Sequence, residues 1–440
     1  MAIKETAKAV TPPTILRGAR TLRQRLRKLP LAVAKQTMAW KAPILHRRLL
    51  TRYRCARPIR VMFLIHNTGS WKVGPIFARM MDDPDFQPLA AVCPTTGGEL
   101  AAVERHTADL ARRYLEAQGF PYVDFTVCDA EQTRAEIHKL NPHLVFFTDP
   151  YKAVPKHLRH ELLASRLTCY VPYHHQVMSY ANNHQEYNKD SDNAFWRIFV
   201  PHEESRRNYG TNRIRGDAGV IVTGFPACEP LLDQTAPRYP SPWKLQERPK
   251  KRVIYAPHWL WSPDMKMATI DTFGAVMLRI AERYRDDVQW ALRPHPNLRP
   301  RLMKDSEWGP ERTKKFFDFW QNSDFCQIHE DNYIPLFQTS DAMIHDSGSF
   351  LAEYLYLRKP VMYLMSEQTS GKYFNDFGRR AITACDVGRS AKDIEEFLER
   401  LLMEDTKNIE RDRFFNEEIL NHFKMKPSVK ICQEIKNAFS

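Results

Sequence analysis

From Arg60 onward, short apolar runs alternate with longer stretches whose apolar residues recur every three or four positions. The first kind reads as buried strand, the second as amphipathic helix. Runs at Val61–Ile65, Pro88–Cys93, Leu144–Phe147, Leu167–Val171, Arg197–Val200 and Val220–Thr223 predict strands, with helices over Ile76–Met81, Glu99–Gln118, Ala130–Lys139 and Glu203–Asn208. A second series begins at Arg252–Tyr255. It predicts further strands at Val288–Leu292, Phe325–Ile328, Ala342–Ile344 and Val361–Leu364. Its helices fall over Ile270–Tyr284, Arg312–Gln321, Tyr333–Thr339, Phe350–Leu357 and Ile394–Leu402, and Asn416–Phe439 closes the chain as a helix broken at Pro427. Strands without polar alternation, separated by helices, imply parallel sheets with crossover connections. Between the two series, Glu229–Lys250 carries five prolines and no period, the signature of a linker. The expected fold class is therefore α/β, with one doubly wound unit at 58–228, a linker at 229–250 and a second unit at 251–440.

Residues 1–57 follow a different pattern. Ile15, Ala19, Leu22, Leu26 and Leu29 form a helical stripe among arginines, and Leu31–Tyr53 mixes Met38, Trp40, Ile44 and Leu49 with Lys35, Lys41, Arg47 and Arg48. Basic amphipathic helices with an interfacial Trp suit an anionic membrane surface. A helix packed on the body with a solvated basic face, and an arm that binds RNA, are the alternatives.

Charge sharpens this division. Residues 1–60 hold sixteen Lys or Arg and one acid, Glu5, whereas the rest of the 440-residue chain holds 49 basic and 51 acidic residues. The net charge of +13 thus belongs to the arm, and no general nucleic-acid-binding face is expected on the body. The eight cysteines are scattered, without a C-x-x-C or a Cys/His cluster, which argues against a zinc site or disulfide scaffold and suits a reducing cytoplasm. No secretory signal is visible, and no apolar run approaches the roughly 18 residues of a membrane span. The expected location is cytoplasmic, peripheral on the inner face of the cell membrane.

The candidate chemistry lies just after strands, where open parallel sheets bind ligands. Asp346-Ser347-Gly348-Ser349 is a tight polar turn leading into a helix, a place where backbone N–H groups and hydroxyls favour phosphate. Glu353, one helical turn later, is placed to accept hydrogen bonds from ribose hydroxyls. Arg293 and His295, in Arg-Pro-His-Pro, can set donors against a diphosphate, and His258 follows the first strand of the second series. In the first unit, His66, Asn67, Gly69 and Ser70 form a strand-end turn for an acceptor or phosphate. His174 and His175, in YVPYHHQVMSYANN, are the candidate general bases; adjacent residues point apart, so at most one of the two faces a cleft, and His175 is the preferred member. Asp190-Ser191-Asp192 matches a D-x-D metal pattern by chance in an acid-rich loop, and no metal site or cofactor is expected.

Three segments, IYAPHW, LRPHP and HDSGSFLAEYLYLRKPVMYL, resemble blocks of the CDP-glycerol glycerophosphotransferase family, the teichoic-acid-type polymerases and primases. VMFLIHNTGSWK and MMDDPDFQPLAAVCP resemble the capsule-synthesis branch of that family, and Gly224-Phe225-Pro226 resembles its G-x-P segment. Ser347-Gly348 stand where the family has Tyr-Ser, Glu353 where it has Asp, and His258 where Thr is usual. The turn is also similar to the D-S-G-G block of the non-hydrolysing nucleotide-sugar 2-epimerases. The resemblance implies a GT-B fold, two Rossmann-like domains with a cleft between them, and a donor held by the second. It implies transfer of a glycerol-phosphate or related polyol-phosphate unit from a CDP-alcohol to a hydroxyl of a lipid-linked or growing cell-surface glycan. His174 or His175 would be the base, and His295 would act beside the phosphates. A GT-B glycosyltransferase or epimerase acting on a nucleotide sugar is the nearer alternative, and a non-catalytic membrane or RNA adaptor the farther one.

Overall fold

The computed structural model describes residues 35–95, 101–149, 154–179, 183–232, 241–259, 266–365 and 373–440. The arginine-rich stripe from Ile15 to Leu29 lies outside them, as do 180–182 of the histidine loop. Among the described residues there are two sheets, every pairing parallel. The first contains β1 (Ile59–Ile65), β2 (Phe86–Val92), β3 (Tyr122–Asp124), β4 (Leu144–Phe147), β5 (Leu167–Tyr170), β6 (Arg197–Val200) and β7 (Val220–Val222), in the order β3-β2-β1-β4-β5-β6-β7. The second contains β8 (Lys251–Ala256), β9 (Val288–Leu292), β10 (Cys326–Ile328), β11 (Ala342–His345), β12 (Val361–Leu364) and β13 (Asp386–Gly388), in the order β10-β9-β8-β11-β12-β13. Both orders reverse once, between β1 and β4 and between β8 and β11. A crevice opens at such a reversal because the flanking connections leave to opposite faces.

Alternation explains why these strands read as unbroken apolar runs. In β1, Val61, Phe63 and Ile65 enter one core with Phe77, Leu115 and Phe146, while Met62 and Leu64 enter another with Phe147, Leu158 and Tyr170. In the second sheet, Tyr255, Trp290 and Ile344 face Phe273 and Trp320, while Ile254, Met343 and Tyr363 face the opposite layer. Both faces of each sheet are covered, so neither face offers a polar stripe to be read in the sequence.

The end of the chain departs from the expected pattern. Pro427 opens a helix, Pro427–Ala438, instead of breaking one, because a first-turn proline lacks only an N–H that would have had no partner. The preceding residues form a short helix, Ile409–Phe414, and wider and tighter turns through His422. The last helix, grouped by the sequence reading with the second unit, packs on the first sheet. Ile431, Cys432, Ile435 and Phe439 join the core with Val61 and Phe77, and Lys436 bridges Asp83 and Asp85 at 2.7 and 2.8 Å. The proline-rich segment is docked too. Leu231 and Trp243 are buried in the second core, and Trp243 donates to Thr339 Oγ1 at 3.0 Å.

Residues 35–52 form a helix that buries Ala39, Ala42, His46 and Leu49, and Leu49 joins Tyr53, just past the helix end, in the first sheet's core. His46 Nε2 meets the carbonyl of Ala194 at 3.0 Å. This half of the basic arm is thus a packed helix on its inner face. Among the described residues no helix is long and apolar enough to cross a membrane.

The two sheets are joined by a strand-like clamp. Ser179 N donates to Tyr373 O at 2.7 Å, Asn375 N to Val177 O at 3.1 Å, and the Asn375 amide to Gln176 O at 2.6 Å. Gly378 sits against this clamp so closely that an added Cβ would stand 2.3 Å from Val177 O. Gly378→Ala should force the two segments apart and destabilise the protein by about 1–3 kcal/mol, the usual cost of overpacking. A denaturant melt unchanged from the parent would contradict the clamp's role.

Candidate active site between the two sheets

The crevice ends of both sheets meet at the clamp. In the second sheet, Asp346 closes β11. Its carboxylate accepts from His258 N at 2.5 Å, Thr269 N at 2.7 Å and Thr269 Oγ1 at 2.8 Å. These bonds pin the loop after β8 and the start of the next helix to the elbow. Asp346, expected on the ligand, is therefore buried and taken up by protein donors. Burial raises its pKa to about 6, although the three N–H and O–H donors pull it down. Ser347 caps the helix Gly348–Glu353, its Oγ accepting from Phe350 N at 3.5 Å, and its own N–H donates to His345 Nδ1 at 3.1 Å. Gly348 is pressed by Met267, Met178 and Val177, so the elbow touches the clamp of the first sheet directly. Ser349 is partly exposed one position further on.

Arg293 and His295 follow β9. The Arg293 guanidinium donates to His329 O at 3.0 Å and lies 3.3 Å from His329 Nδ1, which anchors it beside the crevice. His295 Nδ1 accepts from Asn297 N at 3.1 Å. In the neutral ring this leaves the proton on Nε2, a donor suited to an anionic oxygen. His295 packs with His258 (ring centroids 4.9 Å) and Trp259 (5.6 Å). Burial holds both histidines below their ordinary pKa, His258 at about 4.

On the first sheet, Asn67 organises the turn after β1: its Oδ1 accepts from Ser70 N at 2.8 Å and lies 3.2 Å from where a Cβ on Gly69 would be. His66 stands at the end of β1 with Nε2 3.8 Å from Asp149 Oδ2, just beyond β4. Burial lowers its pKa to about 4, so the pair is not an ion pair at neutral pH. The two loop histidines separate as adjacent residues must. His175 is closed in by Phe225, Tyr356 and Phe377, with Nε2 3.0 Å from the Tyr356 hydroxyl, and its carbonyl meets His202 Nε2 at 2.8 Å. His174 is less buried and accepts from Gln176 N through Nδ1 at 2.9 Å.

Lys72 and Tyr333, which the sequence does not single out, complete the arrangement. Lys72, in the loop after the Ser70 turn, reaches across to the second sheet's elbow helix. Its Nζ lies 3.4 and 3.5 Å from the Glu353 carboxylate oxygens and 3.0 Å from Tyr333 OH. Glu353, expected to face ribose, is fully buried against this lysine. The signal for Lys72 was a single cation two positions after a strand-end turn, and its partner lies 281 residues away. Asp192 of the rejected D-x-D match is buried, and its Oδ2 accepts from Lys189 N at 2.8 Å. Among the described residues no cluster of His, Cys, Asp and Glu has metal-binding geometry.

The buried imidazoles carry a pH consequence. His66, His174 and His258 are held at about 4, and His202 and His345 at about 3, against an ordinary 6.5, chiefly by burial. Depressed imidazole pKa values mean that the unfolded chain binds these protons first, so stability is present above 6.5 and is lost as pH falls through 4. Asp346 and Asp192, both raised to about 6, act oppositely: they favour the fold below 3.8 and that contribution fades as pH rises through 6. The imidazoles outnumber them. The melting temperature should therefore drop by about 5 °C or more between pH 6.5 and 4. A flat profile would contradict neutral burial.

No curated protein sequence matches this one. Solved structures share its fold. The wall teichoic acid polymerase TagF superposes with a TM-score of 0.56 at 12% identity, covering 96% of this chain and 98% of that one. A TagF variant soaked with CDPG gives 0.55 at 13% identity, with the same coverage. UDP-GlcNAc 2-epimerase from Methanocaldococcus jannaschii gives 0.52 at 12% identity, covering 86% and 99%. These establish the GT-B architecture of paired parallel-sheet domains. The sequence family described as CDP-glycerol:poly(glycerophosphate) glycerophosphotransferase matches residues 171–437, more than half of the chain, and the chain belongs to that family of transferases.

Proposed function

We propose that the chain moves a glycerol-phosphate unit from CDP-glycerol to a hydroxyl of a lipid-linked or growing glycan of the teichoic-acid or capsule type. The first domain, 58–228 with the closing helix packed on it, would take the acceptor, and the second, from 251 to the residues before that helix, the nucleotide. The observation that carries this reading is the meeting of both sheet reversals at one place, where the β1 loop's lysine touches the elbow helix after β11. The acceptor oxygen attacks the phosphorus that bears glycerol. The bond from that phosphorus to the bridging oxygen breaks, and CMP departs with the electron pair. Arg293 and the Nε2–H of His295 face the charge that spreads over the phosphate oxygens, and Ser347, Gly348 and Ser349 shape the turn beside them.

The hydroxyl proton goes to the histidine loop. Both rings are neutral at pH 7 because burial depresses their pKa, so each keeps a lone pair. His174 is the member that we assign, since His175 is enclosed by aromatic rings. Its Nδ1 lone pair faces Gln176 N–H at rest, so proton uptake requires that contact to be exchanged for the acceptor hydroxyl. His66, near Asp149, stands on the acceptor side.

The helix over 35–52 supports attachment to an anionic membrane. Its outer face shows Trp40, 82% exposed, and Ile44, 52% exposed, among Lys41, Arg47 and Arg48. Beside them lies a groove of about 430 Å³ lined by His46, Arg47, Trp196, Arg197 and Arg215. Such a face combines an apolar wedge with charge for lipid headgroups.

Incubation with CDP-glycerol and a glycerol-phosphate acceptor should release CMP, and UDP-GlcNAc should release no UDP. UDP release without CMP release would replace the reading with a nucleotide-sugar enzyme. Trp40→Glu with Ile44→Glu should abolish sedimentation with phosphatidylglycerol vesicles while leaving CMP release on soluble acceptor intact. Undiminished sedimentation would remove the helix from the membrane contact.

A further inference from the structure

We propose that Lys72 is the cation that the first domain supplies to the diphosphate of the bound nucleotide, and that Glu353 and Tyr333 hold it in place while the crevice is empty. The identity of the nucleotide rests on the transferase reading; the role of the lysine rests on geometry.

Lys72 is 5% exposed and Glu353 fully buried, so both charges have left water. A buried pair of this kind adds little stability unless its geometry is good. Here it is not: the ammonium–carboxylate distances are 3.4 and 3.5 Å, against the about 2.7–2.9 Å of a strong charge-assisted bond. The ammonium also lies 4.5 Å from the centre of the Tyr333 ring, a soft contact that a moving cation can keep. Nζ is thus held loosely, between an acid and a ring, on a flexible four-carbon stem.

Its position is the second observation. Lys72 hangs from the loop after β1, at the first sheet's reversal, and touches the helix that begins at the second sheet's reversal. Arg293 is anchored to His329 and approaches from β9. A diphosphate lying along the elbow therefore meets Arg293 from its own domain and Lys72 from the opposite one. Lys72 gives no proton or electron in the transfer. It offsets negative charge on the bridging oxygen as that oxygen leaves on CMP.

Calorimetric binding of CDP and CMP to the full chain, with Lys72→Gln and Lys72→Arg, tests this without relying on the donor's identity. Glutamine keeps a hydrogen bond to Glu353 and arginine keeps the charge. Lys72→Gln should weaken CDP by about tenfold or more and CMP by no more than about threefold, with Lys72→Arg restoring most of the CDP affinity. The CMP-release rate at saturating CDP-glycerol should fall about 100-fold in Lys72→Gln. Equal weakening of CDP and CMP, or no Lys72-dependent preference for CDP at all, would overturn the proposal and leave Lys72 a strut between domains. Wild type that shows the CDP preference but releases no CMP from CDP-glycerol would instead overturn the transferase reading and keep the lysine's role.

Discussion

The short antiparallel contact between residues 177–179 and 373–375 governs everything at the crevice. Two sheets that shared only a flexible connection would present their loop ends at variable distance. Here backbone bonds from Ser179 and Asn375, with the Asn375 side chain on Gln176, fix one loop of the first sheet to the approach of the helix Asp376–Thr383. The histidine loop lies immediately before this clamp, and Gly348 of the elbow packs against Val177 and Met178 within it. Glu204 adds a further tie by accepting from Asp376 N and Phe377 N at 3.0 and 2.7 Å. The consequence is a site whose two halves are registered by backbone geometry, which is less forgiving than side-chain packing.

Within that frame, polar groups divide between holding the site and serving it. Asp346, His345 and Thr269 bond to protein and set the elbow's shape, and Asn67 does the same for the turn after β1. Arg293 and His295 retain N–H groups beyond their own anchoring bonds. Lys72 and Glu353 are the exception, two opposite charges from different sheets that share one buried space with imperfect geometry. Such a pair recovers only part of what its burial costs.

The strands with four or more apolar residues were legible from the chain, because a residue run buried on both faces has no polar alternation to disguise it. β3 and β13 were not: each is three residues with an acid among them, so no apolar run marks it, whereas the equally short β7 is apolar throughout. The strand-end motifs were legible as a set, since Asp346, Arg293 and His258 each follow an apolar run. Their roles were not equally so. A carboxylate after a strand looks the same whether it faces a ligand or, as with Asp346, accepts from three neighbouring donors. Lys72 and Glu353 belong to opposite domains, and no local pattern pairs them. The closing helix was misgrouped for a similar reason. Its apolar face, Ile431, Cys432, Ile435 and Phe439, says that it is buried but not on which sheet.

That closing helix ties Phe439 and Ser440 to the approach of β1. Phe439 O accepts from Cys55 N at 2.7 Å, and Ser440 O from Arg54 Nε at 3.2 Å, beside the start of β1. Ile431, Cys432, Ile435 and Phe439 thus complete a core whose other members all lie far earlier in the chain, so that part of the first domain closes only through contacts of very long sequence separation, the kind that form slowly.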